Sequence, residues 1–171
     1  MARTSRKKVD AIALLKKDHR EVEGLFKEFE ALKDGESEAV EPVIATACTE
    51  LKIHDKLETE IFYPAIREQA GSEKEVEDLL NEAEVEHDHV RDLVQTLEGM
   101  NAGDEKRNAH FTVLMEYVKH HVKEEEKEMF RKLKQLDIDF KSIGAQMKTR
   151  KEELMAELGV QAEEEEPEET A

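Results

Sequence analysis

In this 171-residue chain, four successive helical stripes each carry one histidine among residues that should face a core. The clearest stripe reads Ala47, Leu51, His54, Glu58, Ile61, Ala65, spaced four, three, four, three and four. That is the 3.5–3.6-residue period of a core-facing helix. The others read Ile12, Leu15, His19, Val22, Phe26, Phe29; Val76, Leu80, Ala83, His87, Val90, Val94, Leu97; and Phe111, Leu114, Val118, His121, Glu125, Met129. Two stripes add a carboxylate four residues on, in His54–Glu58 and His121–Glu125. An ionised glutamate buried there without a partner costs several kcal/mol, large against a total stability of roughly 5–15 kcal/mol. Something must compensate Glu58 and Glu125.

The spacing between histidines places them at one height. In an antiparallel hairpin, residues equidistant from the turn lie level. The midpoint of His19 and His54 falls between Glu36 and Ser37, beside Gly35; that of His54 and His87 falls between Ala70 and Gly71; that of His87 and His121 is Asp104, next to Gly103. Each lands on a break between helical patterns. "HREVEGLFKEF" and "HDHVRDLVQTL" share a histidine, then Val at +3, Leu at +6 and apolar residues at +7 and +10, so the chain reads as a duplicated two-helix unit. Residues at i and i+4 share a helix face, so both members of each His–Glu pair can reach one centre.

These patterns predict an all-α protein, an up-down-up-down four-helix bundle with an extra C-terminal amphipathic helix and an acidic disordered tail. The predicted organisation is a basic arm at 1–8, the bundle at 9–136, the extra helix at 137–159 and the tail at 160–171. Pro42 is expected in the first turn of the second helix, and Pro64 to loosen its last turns. Ser72 and Glu75 read as a capping box for the third helix. The net charge of −17 argues against nucleic-acid binding, which needs a basic surface. No apolar stretch approaches a membrane span, and the single Cys48 excludes a disulfide framework within the chain, so a cytoplasmic protein, monomer or homodimer, is expected.

His19, His54, Glu58, His87, His121 and Glu125 thus converge as nitrogen and oxygen donors without a thiolate. They are too many for one tetrahedral zinc and suit two first-row ions bridged by carboxylates. His89 and His120 fall off the stripes, and His110 reads as a bundle-end residue. Ordinary packing accounts for Tyr63 and Tyr117 at least as well as a place in the pocket.

In "DHREVEGLF", "HDKLETEIFYP", "EHDHVRDL" and "HHVKEEEKEMF" the chain resembles the hemerythrin-like, HHE cation-binding proteins over roughly residues 10–135. The resemblance implies two iron ions in a non-haem di-iron centre, oxo- or hydroxo-bridged. His19, His54, His87 and His121 would be terminal ligands, and Glu58 and Glu125 bridging ones. Oxygen-carrying members have a further histidine where Arg91 stands, and an aspartate at the place of Glu126. Many relatives have proline at Arg131. Lacking that histidine, the chain is nearer to relatives linked to iron or oxygen sensing and to peroxide or NO handling.

Three functions compete. The first is a di-iron protein that binds or reacts with O2, peroxide or NO. The second is an iron-dependent sensor or interaction module without turnover, and the third a structural bundle whose histidines are hydrogen-bonded. Reversible oxygen carriage is a variant of the first. Redox spectra with turnover, iron-dependent stability without turnover, and absence of metal distinguish the three.

Overall fold

The computed structural model describes residues 10–160, so the expected basic arm and all of the expected acidic tail except Val160 lie outside the described residues. Within them the chain is helical and contains no strand. Asp10 starts α1 (Ala11–Leu32) by accepting a hydrogen bond from the Ala13 amide at 2.8 Å. A short turn leads to α2 (Ser37–Leu57), a π-helical turn (Glu58–Phe62) and α3 (Tyr63–Ala70), which together form one long rod. After Gly71, whose positive φ suits a residue without Cβ, comes α4 (Lys74–Gly99). Then follow α5 (Arg107–Glu124), a second π-helical turn (Glu125–Met129) and α6 (Phe130–Leu133), and finally α7 (Phe140–Glu157).

Cross-helix pairs step in opposite directions along neighbouring rods. Between α2–α3 and α4 they are Lys52–Glu98, Asp55–His87 and Arg67–Glu77; between α4 and the α5–α6 rod they are Leu97–Arg107, Glu86–His121 and Glu75–Lys132. The turns therefore sit where the midpoints placed them, and the four histidines fall level.

Two local expectations need correction. The second helix begins at Ser37, so Pro42 lies in its second turn rather than its first. Residue 42 costs that turn one amide bond, and its carbonyl is taken by the Thr46 hydroxyl at 2.8 Å. Ser72 does not cap α4: Glu73 holds the N-cap position with extended backbone, and the Glu75 carboxylate pairs with Lys132 at 2.6 Å instead.

Both π-helical turns start on a stripe glutamate. The Tyr63 amide reaches back five residues to the Glu58 carbonyl, and the Phe130 amide does the same to Glu125. Such turns are frequent at functional sites. Pro64 cannot donate an amide to Glu60, which favours the first turn, yet Arg131 holds the equivalent place after the second. Proline is therefore not what the geometry requires. The wide turn sets the residue five on beside the glutamate, so Tyr63 and Phe130 both face the core and are fully buried.

The core is divided. Leu15, Leu57, Phe62, Ile66, Leu80, Met129 and Phe130 belong to one apolar cluster, and Phe26, Phe29, Ile44, Leu51, Phe111 and Val118 to the other. In α1 and α4 the histidine separates residues of the first cluster from residues of the second, and in α2 and α5 the change falls within a residue of it, at Ile53 and after Val122. Helix α7 joins the first cluster through Ile143, Met147 and Leu154, while Leu158, just past its last residue, is exposed. It lies on α1, α2 and the first π-helical turn, where Arg150 meets Glu60 at 2.8 Å.

Candidate metal centre

All six stripe residues meet in the seam between the two clusters. Glu58 is 0 % exposed and Glu125 2 %, and the four histidines are buried around them. His54 Nε2 stands 3.0 Å from Glu58 Oε1, and His87 Nε2 2.8 Å from Glu58 Oε2. His19 Nε2 lies 3.2 Å from Glu125 Oε2, and His121 Nε2 lies 3.7 Å from the same oxygen and 3.9 Å from Glu58 Oε2. The donors sort into two sets whose atoms lie within 4.8 Å of one another: His19, His54, Glu58 and Glu125, and then Glu58, His87 and His121. Glu58 belongs to both, one oxygen toward each.

The outward nitrogens explain why the rings face inward. His19 Nδ1 bonds Glu126 at 2.9 Å, His54 Nδ1 bonds Asp18 at 3.2 Å, His87 Nδ1 bonds Asp55 at 2.7 Å and His121 Nδ1 bonds Glu86 at 2.6 Å. A carboxylate can only accept, so each Nδ1 carries the proton and each Nε2 points its lone pair at the seam when the ring is neutral. The supports pass round the bundle. Helix α1 supplies Asp18 to α2, α2 supplies Asp55 to α4, α4 supplies Glu86 to α5, and the turn after α5 supplies Glu126 back to α1. This carboxylate–histidine pairing is how proteins orient metal-binding imidazoles.

Among the described residues, five buried side-chain polar atoms have no hydrogen-bond partner: His19 Nε2, His54 Nε2, His121 Nε2, Glu58 Oε1 and Glu125 Oε2. Several lie near one another but are not aligned to bond. Each unsatisfied buried group costs about 1–3 kcal/mol, so five together are heavy for a domain of ordinary stability. Convergent, pre-oriented nitrogen and oxygen donors with unspent lone pairs are what a bound metal cation requires, and the residues fit one.

Without metal, protons do part of the balancing. Burial disfavours a charge on His54, but Glu58 and Asp18 outweigh it and hold its pKa well above the ordinary value. His87 is raised in the same way by Asp55 and Glu58 against burial. His121 is raised to about 10 by Glu58, Glu86 and Glu125, again against burial. Burial pushes Glu58 up, but His54, His121 and His87 reverse this and hold it well below the carboxylate range. A metal ion must therefore displace protons from these rings.

Tyr63 sits at the centre of the seam. Its hydroxyl lies 3.2 Å from Glu58 Oε2, 3.2 Å from Glu125 Oε1 and 3.0 Å from His87 Nε2. Burial, then the Glu125 and Glu58 charges, push its pKa well up, so it remains a proton donor. Its counterpart Phe130 stacks on His19 with ring centroids 6.2 Å apart. At this position the duplicated halves thus differ by one hydroxyl.

The stripes mark the six central residues but not the four supports. Their signal was adjacency: Asp18, Asp55 and Glu86 each stand next to a stripe histidine, and Glu126 next to Glu125. A neighbour in sequence points about 100° away on the helix, so it serves the next rod rather than its own. Arg91 is not among the central donors. Its guanidinium grips Asp55 at 2.8 and 2.9 Å and Asp88 at 2.5 Å, bracing the carboxylate that holds His87. His89 is exposed against Tyr117, which is itself exposed, and His110 and His120 stand outside the layer. A cavity of about 30 Å3, room for one diatomic molecule, lies against all four histidines and is walled by Val22, Leu51, Val90, Val118 and Val122.

The family model of the hemerythrin HHE cation binding domain matches residues 10–133, which leaves α7 outside the matched span. A solved structure of a hemerythrin HHE cation binding domain-containing protein from Mycobacterium kansasii is similar, at 24 % identity and a TM-score of 0.70. That likeness covers 87 % of this chain and 89 % of the other, and at this identity it shows the fold. No curated protein matches the chain.

Proposed function

We propose, because this chain belongs to the hemerythrin HHE cation-binding domain family, that its seam holds two iron ions and that the protein binds or reacts with O2, peroxide or NO. The observation that carries the reading is the set of five unpartnered buried donor atoms in one layer. His19, His54 and Glu125 would hold one ion and His87 and His121 the other, with Glu58 shared between them. Iron bound there supplies reversible electron transfer to a small oxidant.

The chain's own residues do the rest. Asp18, Asp55, Glu86 and Glu126 hold the imidazoles in the tautomer that presents Nε2. The valine-walled cavity admits a diatomic molecule to the histidine layer and offers little to a larger polar substrate. Tyr63 keeps a proton within hydrogen-bond distance of both glutamates. The His87–His121 set has one donor fewer than the His19–His54 set. That inequality favours a reaction with oxidant at one ion over reversible carriage, and a role in oxidative-stress handling or in oxygen or iron sensing.

One feature favours a sensor in particular. Lys151 of α7 pairs with Asp18 at 2.6 Å, and Asp18 holds His54, so the C-terminal helix is tied to the metal layer. The test is optical. Reduced, iron-loaded protein exposed to O2 should change its spectrum once, within minutes, and should consume added peroxide. A spectrum that returns under repeated argon flushing would restore the carrier reading, and iron-dependent stability without turnover would favour the sensor.

A further inference from the structure

A second group of metal-type donors stands outside the seam, on the face shared by α4 and α5. Glu86, His120 and Glu124 each bring a donor atom within 4.8 Å of the others. His120 Nε2 lies 3.0 Å from Glu124 Oε1 and 3.6 Å from Glu86 Oε1. First-row ions bind nitrogen and oxygen at about 2.0–2.2 Å, so donors sharing one ion stand about 3–4.4 Å apart, and His120 already stands so from both carboxylates. "HHVKEEE" contains two overlapping HxxxE pairs: His121–Glu125 faces the seam and His120–Glu124 faces out.

Glu86 forms the partition. Its Oε2 accepts the His121 Nδ1 proton at 2.6 Å, while Oε1 faces His120. Behind the outer group lies a cavity of about 10 Å3, the size of one water-sized occupant. Glu82, Glu86 and Glu124 line it from outside, and His121 and Glu125 from inside. Those inner residues are 7 % and 2 % exposed, and His121 Nε2 and Glu125 Oε2 are among the atoms without a partner. Two residues of the outer group, Glu86 and Glu124, and two that carry buried, unspent donors, His121 and Glu125, therefore line one small cavity.

We propose that Glu86, His120 and Glu124 form a peripheral divalent-cation site that captures ferrous iron and passes it inward, past Glu86, to Glu125 and His121. The transfer is a ligand exchange without change of oxidation state: bonds to His120 and Glu124 break as bonds to Glu125 and His121 form. The chain's net charge of −17 enriches cations at such an opening. The proposal rests on the reading of the seam as the iron centre.

The test compares the full chain with the double variant His120→Ala/Glu124→Gln. These side chains lie at the surface, 62 % and 31 % exposed, and outside the seam. Metal-free protein is mixed anaerobically with ferrous iron, quenched with chelator at intervals, and counted for retained iron. Both proteins should reach the same final content, with the variant slower by about tenfold or more, the scale on which charged openings raise capture rates. Separately, Mn2+ titration followed by electron paramagnetic resonance should show a weaker ion in the native chain. It should persist in Glu58→Gln and vanish in the double variant. Equal loading rates, or a weak Mn2+ ion that survives the double substitution, would overturn the proposal. Retention of no iron by the native chain would instead refute the seam as the iron centre, and the Mn2+ result in Glu58→Gln would still decide the peripheral site.

Discussion

Replacing Lys151 by Met should destabilise the metal-free protein far more than a surface lysine would. Asp18 is 4 % exposed and is held by Lys151 Nζ at 2.6 Å on one oxygen and by His54 Nδ1 at 3.2 Å on the other. Burial pushes the Asp18 carboxyl up, but His54 and Lys151 together bring it below its ordinary value. Removing one partner of a buried pair costs about 3–5 kcal/mol. Lys151 keeps 20 % exposure and His54 still donates, so the loss here should be about 2 kcal/mol. For a chain of this size that is a fall in Tm of roughly 4–8 °C. Methionine preserves the aliphatic stem, so lost packing contributes little. The assay is urea unfolding of the metal-free protein at pH 7, followed by circular dichroism, with Asp18→Asn and the double variant completing a cycle. Because the folded-state pKa of Asp18 is depressed, its contribution is present above its unfolded value near 3.8 and is lost as pH falls through the folded one. The penalty should therefore persist down to about pH 4 and shrink only as the pH falls below the unfolded value near 3.8. A loss under about 0.5 kcal/mol at pH 7 would mark the pair as an ordinary surface contact and sink the link between α7 and the seam.

Metal-free protein should lose stability as pH rises from about 6.5 towards about 10, since the raised folded-state pKa of His121 contributes fully below the unfolded value and is lost through the folded one. Iron-loaded protein should not show that fall, because metal replaces the protons; thermal melts of both forms across this range check it. Glu58→Gln should abolish tight iron binding and also flatten the alkaline fall, as His54, His87 and His121 lose the charge that keeps them protonated; full iron retention in this variant would refute the shared-ligand role. Tyr63→Phe should keep the fold, because Phe130 shows that a phenyl ring fits the equivalent place. It should cost about 1–3 kcal/mol through hydrogen bonds lost by Glu58 and Glu125, read by urea unfolding.

The helices and the histidine layer were legible because both follow from spacing. A 3.6-residue stripe fixes which residues face inward, and a hairpin fixes which of them are level. Glu58 and Glu125 were legible because four residues return a side chain to the same face. The supports were not, because Asp18, Asp55, Glu86 and Glu126 act across helix pairs, and which neighbour an off-stripe residue meets depends on how the rods are arranged around the seam. Arg91 shows the limit most clearly. Spacing places it one turn beyond His87, yet its long side chain turns outward to Asp55. The π-helical turns were equally hidden: Pro64 signals a loosened helix at one of them, and nothing comparable marks the other. Tyr63 enters the seam only because of that extra residue in the turn.

The central claim is that the seam holds two metal ions. Anaerobic titration of the metal-free chain with ferrous iron, counting the ions that resist a competing chelator, tests it most directly. The account predicts two retained ions per chain, both lost in Glu58→Gln. One retained ion, or none, would contradict it.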